Sequence, residues 1–132
     1  MGALTIGKLA RKADVNIETI RYYERRGLMP NPRRTESGYR QYREDEVSRL
    51  RFIKNAKELG FSLKEIDELL TLRLDQRTPS SEVKKRAEEK IEDIENKIRK
   101  LRRIKKRLTT ISDTCDGHGA ISDCPILEAL DK

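Results

Sequence analysis

Residues 5–28, TIGKLARKADVNIETIRYYERRGL, form the stretch that decides the fold. Its first half begins with Thr5, a suitable helix N-cap, and continues with apolar residues at the three- and four-residue spacing of one helix face. These apolar residues are Ile6, Leu9, Ala10 and Ala13. The spacing predicts a short helix with one buried side.

The second half of the stretch predicts another short helix. Asn16 is placed to cap it, Ile17 and Ile20 are expected to face inward, and Gly27 provides the C-terminal stop. The side chains expected to remain largely outward are Glu18, Thr19, Arg21, Tyr22 and Arg25. Two short helices joined by a tight turn predict a helix-turn-helix.

The pattern changes after this pair of helices. Residues 28–42, LMPNPRRTESGYRQY, contain two prolines, a Ser-Gly turn and an alternating segment, which together predict a small hairpin, the wing. Two more helices are predicted, one over residues 43–60 that stops at Gly60 and one over residues 62–74 that is capped by Ser62. The apolar stripe of the first comprises Val47, Leu50, Phe52, Ile53, Ala56 and Leu59.

A long helix is predicted after the QRTP segment. It begins at Ser80 or Ser81 and runs to about Ile111 without glycine or proline. Because a long apolar stripe among charges usually pairs with a second copy, we predict a homodimer joined by a coiled coil. An antiparallel arrangement would present the helix-turn-helix parts of both copies, the two heads of the dimer, to one face of DNA. The stripe comprises Ala87, Ile91, Ile94, Ile98, Leu101, Ile104, Leu108 and Ile111.

The positive charge is concentrated in the first part of the chain. The formal net charge is +7, and residues 1–57 contain 14 Lys and Arg against 7 Asp and Glu. Residues 58–132 contain 16 of each kind and sum to zero. A localised positive field favours a surface that binds a polyanion such as DNA.

Composition also limits the classes of function. Charged residues make up 40% of the chain and aromatic residues 5%, with no tryptophan, which disfavours an aromatic-rich catalytic core. The sequence contains no nucleophile elbow, phosphate loop or paired catalytic carboxylates, so we expect no enzyme activity. It has no apolar run near the ~20 residues of a membrane span and does not begin like a signal peptide, so we expect a cytoplasmic protein with no membrane partner.

These motifs together resemble the MerR family of bacterial transcription regulators. The similarity lies in TIRYYERRGL, GYRQY and RLRFIKNAKELGFSLKEI, followed by the long helix and a terminal cysteine loop. The resemblance implies a mainly α fold: a winged helix-turn-helix DNA-binding domain, a dimerisation helix and a C-terminal metal-binding loop. It implies a dimer on double-stranded operator DNA, at a promoter shared with RNA polymerase, that activates transcription by changing the bend and twist of the duplex.

The resemblance also implies a set of DNA contacts. Thr19, Arg21 and Tyr23 match recognition-helix positions, and Tyr39 and Arg40 match the wing that grips phosphates. The chemistry agrees, because Arg and Tyr donate hydrogen bonds to phosphate oxygens and Arg can bind guanine with two bonds. One residue of the adjacent tyrosine pair is expected to pack inside, and we assign the DNA contact to Tyr23.

The segment TCDGHGAISDC contains both cysteines and the only histidine of the chain. A lasting disulfide is disfavoured in a reducing cytosol, so Cys115 and Cys124 are predicted to bind a metal, and Gly117 and Gly119 allow the loop to fold back. Two thiolates suffice for a soft monovalent ion, which favours Cu(I) and, by chemical similarity, Ag(I) or Au(I). His118 is a possible additional ligand.

The position of Ser80 supports a monovalent ion. The segment beginning SSEVKKRAEEK is similar to the start of the dimerisation helix in copper-responsive, CueR-like members of the family. In divalent-metal members the position matching Ser80 is a third cysteine, so Ser80 is predicted to set metal selectivity. The eight residues between Cys115 and Cys124 instead resemble the mercury and zinc branches, which leaves a Hg(II) or Zn(II) sensor as an alternative. A reversible thiol redox switch is a second alternative.

We therefore expect three parts in the chain. Residues 1–75 are the DNA-binding domain with its connecting helices, residues 80–111 the dimerisation helix, and residues 112–132 the metal-binding loop with a short C-terminal helix. The tail PILEAL is expected to form that helix, to cap the site and to transmit metal binding to the heads. The promoter expected from the resemblance is one for metal efflux or detoxification.

Overall fold

The computed structural model describes residues 3–34, 36 and 38–132, and it is mainly helical. The helices and strands of this part of the chain are α1 (Ile6–Ala13), α2 (Ile17–Arg25), β1 (Arg33–Arg34), β2 (Arg40–Gln41), α3 (Asp45–Glu58), α4 (Leu63–Leu74), α5 (Ser80–Ser112) and α6 (Pro125–Leu130). A single 3-10 turn, Ile121–Asp123, precedes α6. The contacts divide the chain into two compact units, Met1–Val83 and Lys84–Lys132.

The helix-turn-helix forms where the capping residues predict it. The Thr5 side chain accepts a hydrogen bond from the backbone N–H of Lys8 at 3.2 Å, and the Asn16 side chain accepts one from the N–H of Thr19 at 2.7 Å. Between the helices, Asp14 adopts a left-handed conformation with φ of 55°, which aspartate tolerates better than most residues. Asp14 thus ends α1, and the turn to α2 takes only Asp14, Val15 and Asn16.

One apolar core fills the Met1–Val83 unit. The α1 helix packs on both α2 and α3, and α3 packs on α4. The side chains at its centre are Leu9, Ile20, Leu50, Ile53 and Ile66, all with no exposed surface. Two residues assigned to apolar stripes from the sequence lie outside this core, because Ile17 is 36% exposed and Leu59 is 65% exposed. Ile17 is the first residue of α2 and Leu59 is the cap residue that follows α3, so both lie at the edge of the packed layer.

The predicted wing is a short antiparallel hairpin. Arg34 pairs with Arg40, and a bridge between Leu4 and Tyr42 ties the second strand to the N-terminal segment. The Leu4–Tyr42 bridge has two backbone hydrogen bonds, of 2.7 and 2.9 Å. The wing is therefore attached to the domain at its base.

Helix α4 has the capping box expected of its sequence. The Ser62 hydroxyl accepts from the N–H of Glu65, while the Glu65 carboxylate accepts from the N–H of Ser62. The next helix, α5, continues for 33 residues from Ser80. None of the described helices is long and apolar enough to cross a membrane.

The predicted apolar stripe of α5 is exposed along the Lys84–Lys132 unit. Its exposed members are Ile91, Ile94, Ile98, Leu101, Ile104 and Leu108. An apolar row of this length in contact with water is unfavourable, since each such side chain gains roughly 1.5–3 kcal/mol when it is fully buried. The exposed stripe thus favours the predicted pairing with a second copy.

Candidate nucleic-acid interface and metal centre

Helix α2 presents polar and cationic side chains next to its capped N-terminus. The Thr19 hydroxyl donates to the Asn16 side chain at 2.8 Å, which holds its rotamer. Arg21 is half-exposed and forms an ion pair of 3.2 Å with Glu18 on the helix surface. Exposed pairs of this kind contribute little to stability, so the Arg21 guanidinium is free to exchange Glu18 for a phosphate.

The structure separates the two adjacent tyrosines of α2. The Tyr23 ring belongs to the core and is 6% exposed, while Tyr22 is 40% exposed and has the Arg25 guanidinium 6.0 Å from its ring centroid. Burial, with a smaller contribution from Tyr22, raises the pKa of Tyr23. Tyr23 nevertheless lines an open depression together with Thr19 and Lys54, so its predicted DNA contact stays a prediction, and the exposed ring of Tyr22 is a second candidate.

The two wing residues differ in their surroundings. Tyr39 is 73% exposed at the start of the second strand. Arg40, by contrast, donates a hydrogen bond of 2.9 Å to the carboxylate of Glu24 on α2. Arg40 therefore has a partner inside the protein as well as the predicted phosphate.

Glu24 is the residue of this surface that sequence reasoning missed. Its side chain is only 7% exposed and accepts hydrogen bonds from Arg40 and from the Tyr42 hydroxyl, each at 2.9 Å. Burial, and then the hydrogen bond with Glu24, raise the pKa of Tyr42 to about 12. Glu24 follows Ile20 by four residues, so its position on the inward face of α2 already called for a buried partner.

The cysteine loop folds back on itself. Gly117 and Gly119 have φ values of 81° and 98°, a conformation that residues with a side chain rarely adopt. The N–H of Gly117 donates to the Cys115 sulfur at 3.4 Å. Cys115 and Cys124 are both half-buried thiols without a disulfide.

The environment of Cys124 favours its thiolate. The N–H groups of Leu127 and Ile126, in the first turn of α6, lower the pKa of the Cys124 thiol below its usual value, and the Cys115 side chain contributes as a further hydrogen-bond partner. The loop thus places Cys115 within hydrogen-bonding reach of Cys124, whose thiol pKa is lowered.

His118 does not join the two cysteines. Its N–H donates to the Asp116 carboxylate at 2.9 Å, which closes a local turn within the loop. In the part of the chain that the structure describes, no group of three or more His, Cys, Asp or Glu side chains is placed to hold a metal ion.

Ser80 is the first residue of α5 and is exposed. It belongs to the Met1–Val83 unit, whereas Cys115 and Cys124 belong to the other unit. Its predicted influence on metal selectivity requires it to face a cysteine loop.

Comparison with known proteins identifies the family. Residues 4–72 match the family model of the MerR HTH family regulatory proteins, and residues 47–111 match the model described as MerR, DNA binding. The chain is 48% identical over 127 residues to the mercuric resistance operon regulatory protein of Bacillus cereus, with 96% of each protein covered.

Two solved structures extend this similarity to the whole fold. The transcription regulator PbrR691 from Ralstonia metallidurans CH34, in complex with lead(II), matches with a TM-score of 0.86 and 34% identity, covering 96% of this chain and 98% of that one. The transcriptional regulator MerR from Bacillus megaterium MB1, in complex with mercury(II), matches with a TM-score of 0.72 and 44% identity, covering 98% and 100%. The chain belongs to the MerR family of helix-turn-helix transcription regulators, which bind DNA and are not enzymes.

Proposed function

We propose that the protein is a metal-responsive transcription activator whose effector binds Cys115 and Cys124. The observation that carries the proposal is the folded loop, which brings two thiols together and lowers the pKa of one of them. A thiolate, not a thiol, binds metal, so this loop is prepared for a soft ion. The metals named for the relatives, mercury and lead, are also thiophilic.

The donor count favours a monovalent ion. Two thiolates satisfy Cu(I), Ag(I) or Au(I), whereas Zn(II) in proteins usually takes four ligands. We propose that Ser80 of the second subunit faces this loop at the position where divalent sensors of the family have a third cysteine. A serine hydroxyl is a poor ligand for a soft ion, so selectivity would come from the missing third sulfur.

Mercury(II) is a second candidate effector, and two observations favour it. The eight-residue spacing between Cys115 and Cys124 resembles that of the mercury branch, and the relative that is 48% identical is a mercuric resistance regulator. Hg(II) is also soft enough to accept only two thiolates. The two candidates therefore share one site and differ in the ion that fits it best.

The remaining parts of the chain have roles that follow from their surfaces. The residues proposed to contact double-stranded operator DNA are Thr19, Arg21, Tyr23, Tyr39 and Arg40, with the exposed Tyr22 as an addition. The apolar stripe of α5 is proposed to join two copies in an antiparallel coiled coil, so that each dimer has two heads. RNA polymerase is expected at the same promoter. The metal-free and metal-bound dimers would favour two differently bent states of the duplex, and activation would reflect the difference in the affinity of the metal-bound dimer for these two states.

The experiment is an anaerobic competition titration of the reduced protein with Cu(I), Ag(I), Hg(II) and Zn(II), repeated on Ser80→Cys. The proposal expects tight binding of Cu(I) and Ag(I), weak binding of Zn(II), and a shift toward divalent ions in the variant. Wild-type affinity that is highest for Hg(II) would select the second candidate. Strong Zn(II) binding by the wild type would contradict a two-sulfur site, and Ser81→Cys serves as the matched control one position along the helix.

A further inference from the structure

The near-zero net charge of residues 58–132 conceals a strong local concentration of cations. Residues 97–107 contain eight Lys and Arg and no Asp or Glu, whereas residues 82–96 contain six acidic and four basic residues. The cations are Lys97, Arg99, Lys100, Arg102, Arg103, Lys105, Lys106 and Arg107. Like charges three and four residues apart destabilise a helix, so a ligand that neutralises these charges would stabilise this segment of α5.

These cations are exposed and lack acidic partners. All eleven residues of the segment are exposed. Within the part of the chain that the structure describes, Lys84 and Lys90 of α5 form ion pairs before this segment, and none of the eight cations has an ion pair with an acidic side chain. Arg99 donates only to the neutral side chain of Asn96. The positive charge is therefore available to a partner.

Part of this charge points away from the apolar stripe. At roughly 100° per residue, Arg99, Arg103 and Lys106 lie on the side of α5 opposite to Ile94, Ile98 and Leu101. We call Arg99, Arg103, Lys106 and Arg107 the basic face. In an antiparallel pair, the cations that flank the stripe would lie beside the acidic residues 82–96 of the second helix. The basic face points away from that helix, so pairing through the stripe would leave it in solvent.

The basic face continues into a groove beside α6. Arg103, Lys106 and Arg107 line it together with Thr110, Ile111 and Ala129, and its volume is about 450 Å³. The groove belongs wholly to the Lys84–Lys132 unit. Three cations and the hydroxyl group of Thr110 thus line one shallow depression.

We propose that the basic face is a second nucleic-acid contact, which binds the sugar-phosphate backbone of duplex DNA without reading its sequence. Charge complementarity selects a polyanion, and guanidinium groups bind phosphate oxygens with two hydrogen bonds. The groove that the basic face enters is lined by three cations and Thr110 and by only two apolar residues, Ile111 and Ala129, which favours a phosphate backbone over an acidic protein. It also has no aromatic side chain for stacking, which favours a duplex over a single strand.

The test compares two double variants with the same change in net charge. Arg103→Gln/Lys106→Gln removes two cations of the basic face, while Lys84→Gln/Lys85→Gln removes two from the acidic half of α5. Gln has nearly the same helix propensity as Lys and Arg, and circular dichroism checks that the helix is retained. Full-length, reduced, metal-free protein is titrated into a labelled duplex of random sequence, and the dissociation constant is measured by anisotropy between about 50 and about 200 mM salt.

The expected result is a shallower salt dependence for the basic-face variant only. Each lost phosphate contact lowers the slope of log K against log salt by about 0.9, so two lost contacts lower it by roughly 2. The proposal would be overturned if the two variants had the same slope, whether or not that slope differed from the slope of the wild type. A competition experiment gives a second test, in which poly-glutamate and unlabelled duplex of equal total charge each displace the wild-type protein from the labelled duplex. Equal displacement by the two competitors would also overturn the proposal, since the basic face would then bind acidic polymers in general. Metal binding does not enter this measurement, so its outcome is independent of the proposed effector.

Discussion

Cys124 lies at the N-terminus of α6, and its reactivity should reflect that position. Because the N–H groups of Leu127 and Ile126 lower its pKa, the thiolate forms at a lower pH than that of an ordinary cysteine. We expect iodoacetamide to modify Cys124 in the metal-free protein with a pH midpoint below that of the same residue in urea. Mass spectrometry of the C-terminal peptide measures this. Identical midpoints in the folded and unfolded protein would show that α6 does not affect the thiol.

The adjacent tyrosines give a second residue-scale prediction. Tyr22→Ala removes an exposed ring, so DNA affinity should fall while the free energy of unfolding changes little. Tyr23→Ala leaves a cavity in the core and should destabilise the protein by about 3 kcal/mol or more. Urea denaturation and DNA anisotropy separate the two effects. Comparable destabilisation by both variants would contradict the burial of one ring and the exposure of the other.

At the scale of elements, the attachment of the wing to α2 depends on Glu24. Glu24→Gln removes the charge that pairs with Arg40, and hydrogen bonds to a charged group contribute roughly 1.5–3 kcal/mol. We expect a loss of stability of about that size together with weaker DNA binding, because the wing would no longer be held by α2. Unfolding in urea and DNA anisotropy measure the two quantities.

Glu18→Gln is the matched control for this prediction. The Glu18 side chain is 75% exposed and pairs with Arg21 on the same helix, so its loss should change stability by well under about 1 kcal/mol. If Glu18→Gln and Glu24→Gln destabilised the protein equally, the buried carboxylate of Glu24 would have no special role in joining the wing to α2.

Local signals predicted the elements better than the contacts between them. Thr5, Asn16 and Ser62 placed three helix starts, because capping depends on residues only three positions away. The pairing of Glu24 with Arg40 spans 16 residues and depends on how the wing folds onto α2, which no local pattern encodes. Burial of Tyr23 rather than Tyr22 likewise depends on how α2 is rotated against the core.

At the scale of the whole molecule, the exposed stripe of α5 predicts an obligate dimer. Ile98→Asp places a charge in the centre of the stripe, so we expect sedimentation to show monomers and DNA affinity to fall steeply as one of two heads is lost. Asn96→Asp adds the same charge two residues away on the outward side and should leave the dimer intact. A dimeric Ile98→Asp protein would place the interface elsewhere.

The sequence supported the family more directly than it supported the effector. The family follows from motifs within the first 72 residues, which the family comparison confirms. The effector depends on which donors meet in three dimensions, and Ser80 belongs to a different unit from the two cysteines. The sequence therefore supported two different effectors. The missing third sulfur favours Cu(I), and the eight-residue spacing of the cysteines favours the ion of the mercury branch.

The most direct test of the two-thiolate site is X-ray absorption spectroscopy at the metal edge of the protein loaded with one Cu(I) per cysteine loop. The account predicts two sulfur neighbours and no nitrogen neighbour, a spectrum unchanged by His118→Ala, and loss of the bound metal in Cys124→Ser. A third sulfur, or a nitrogen neighbour that disappears with His118, would contradict it.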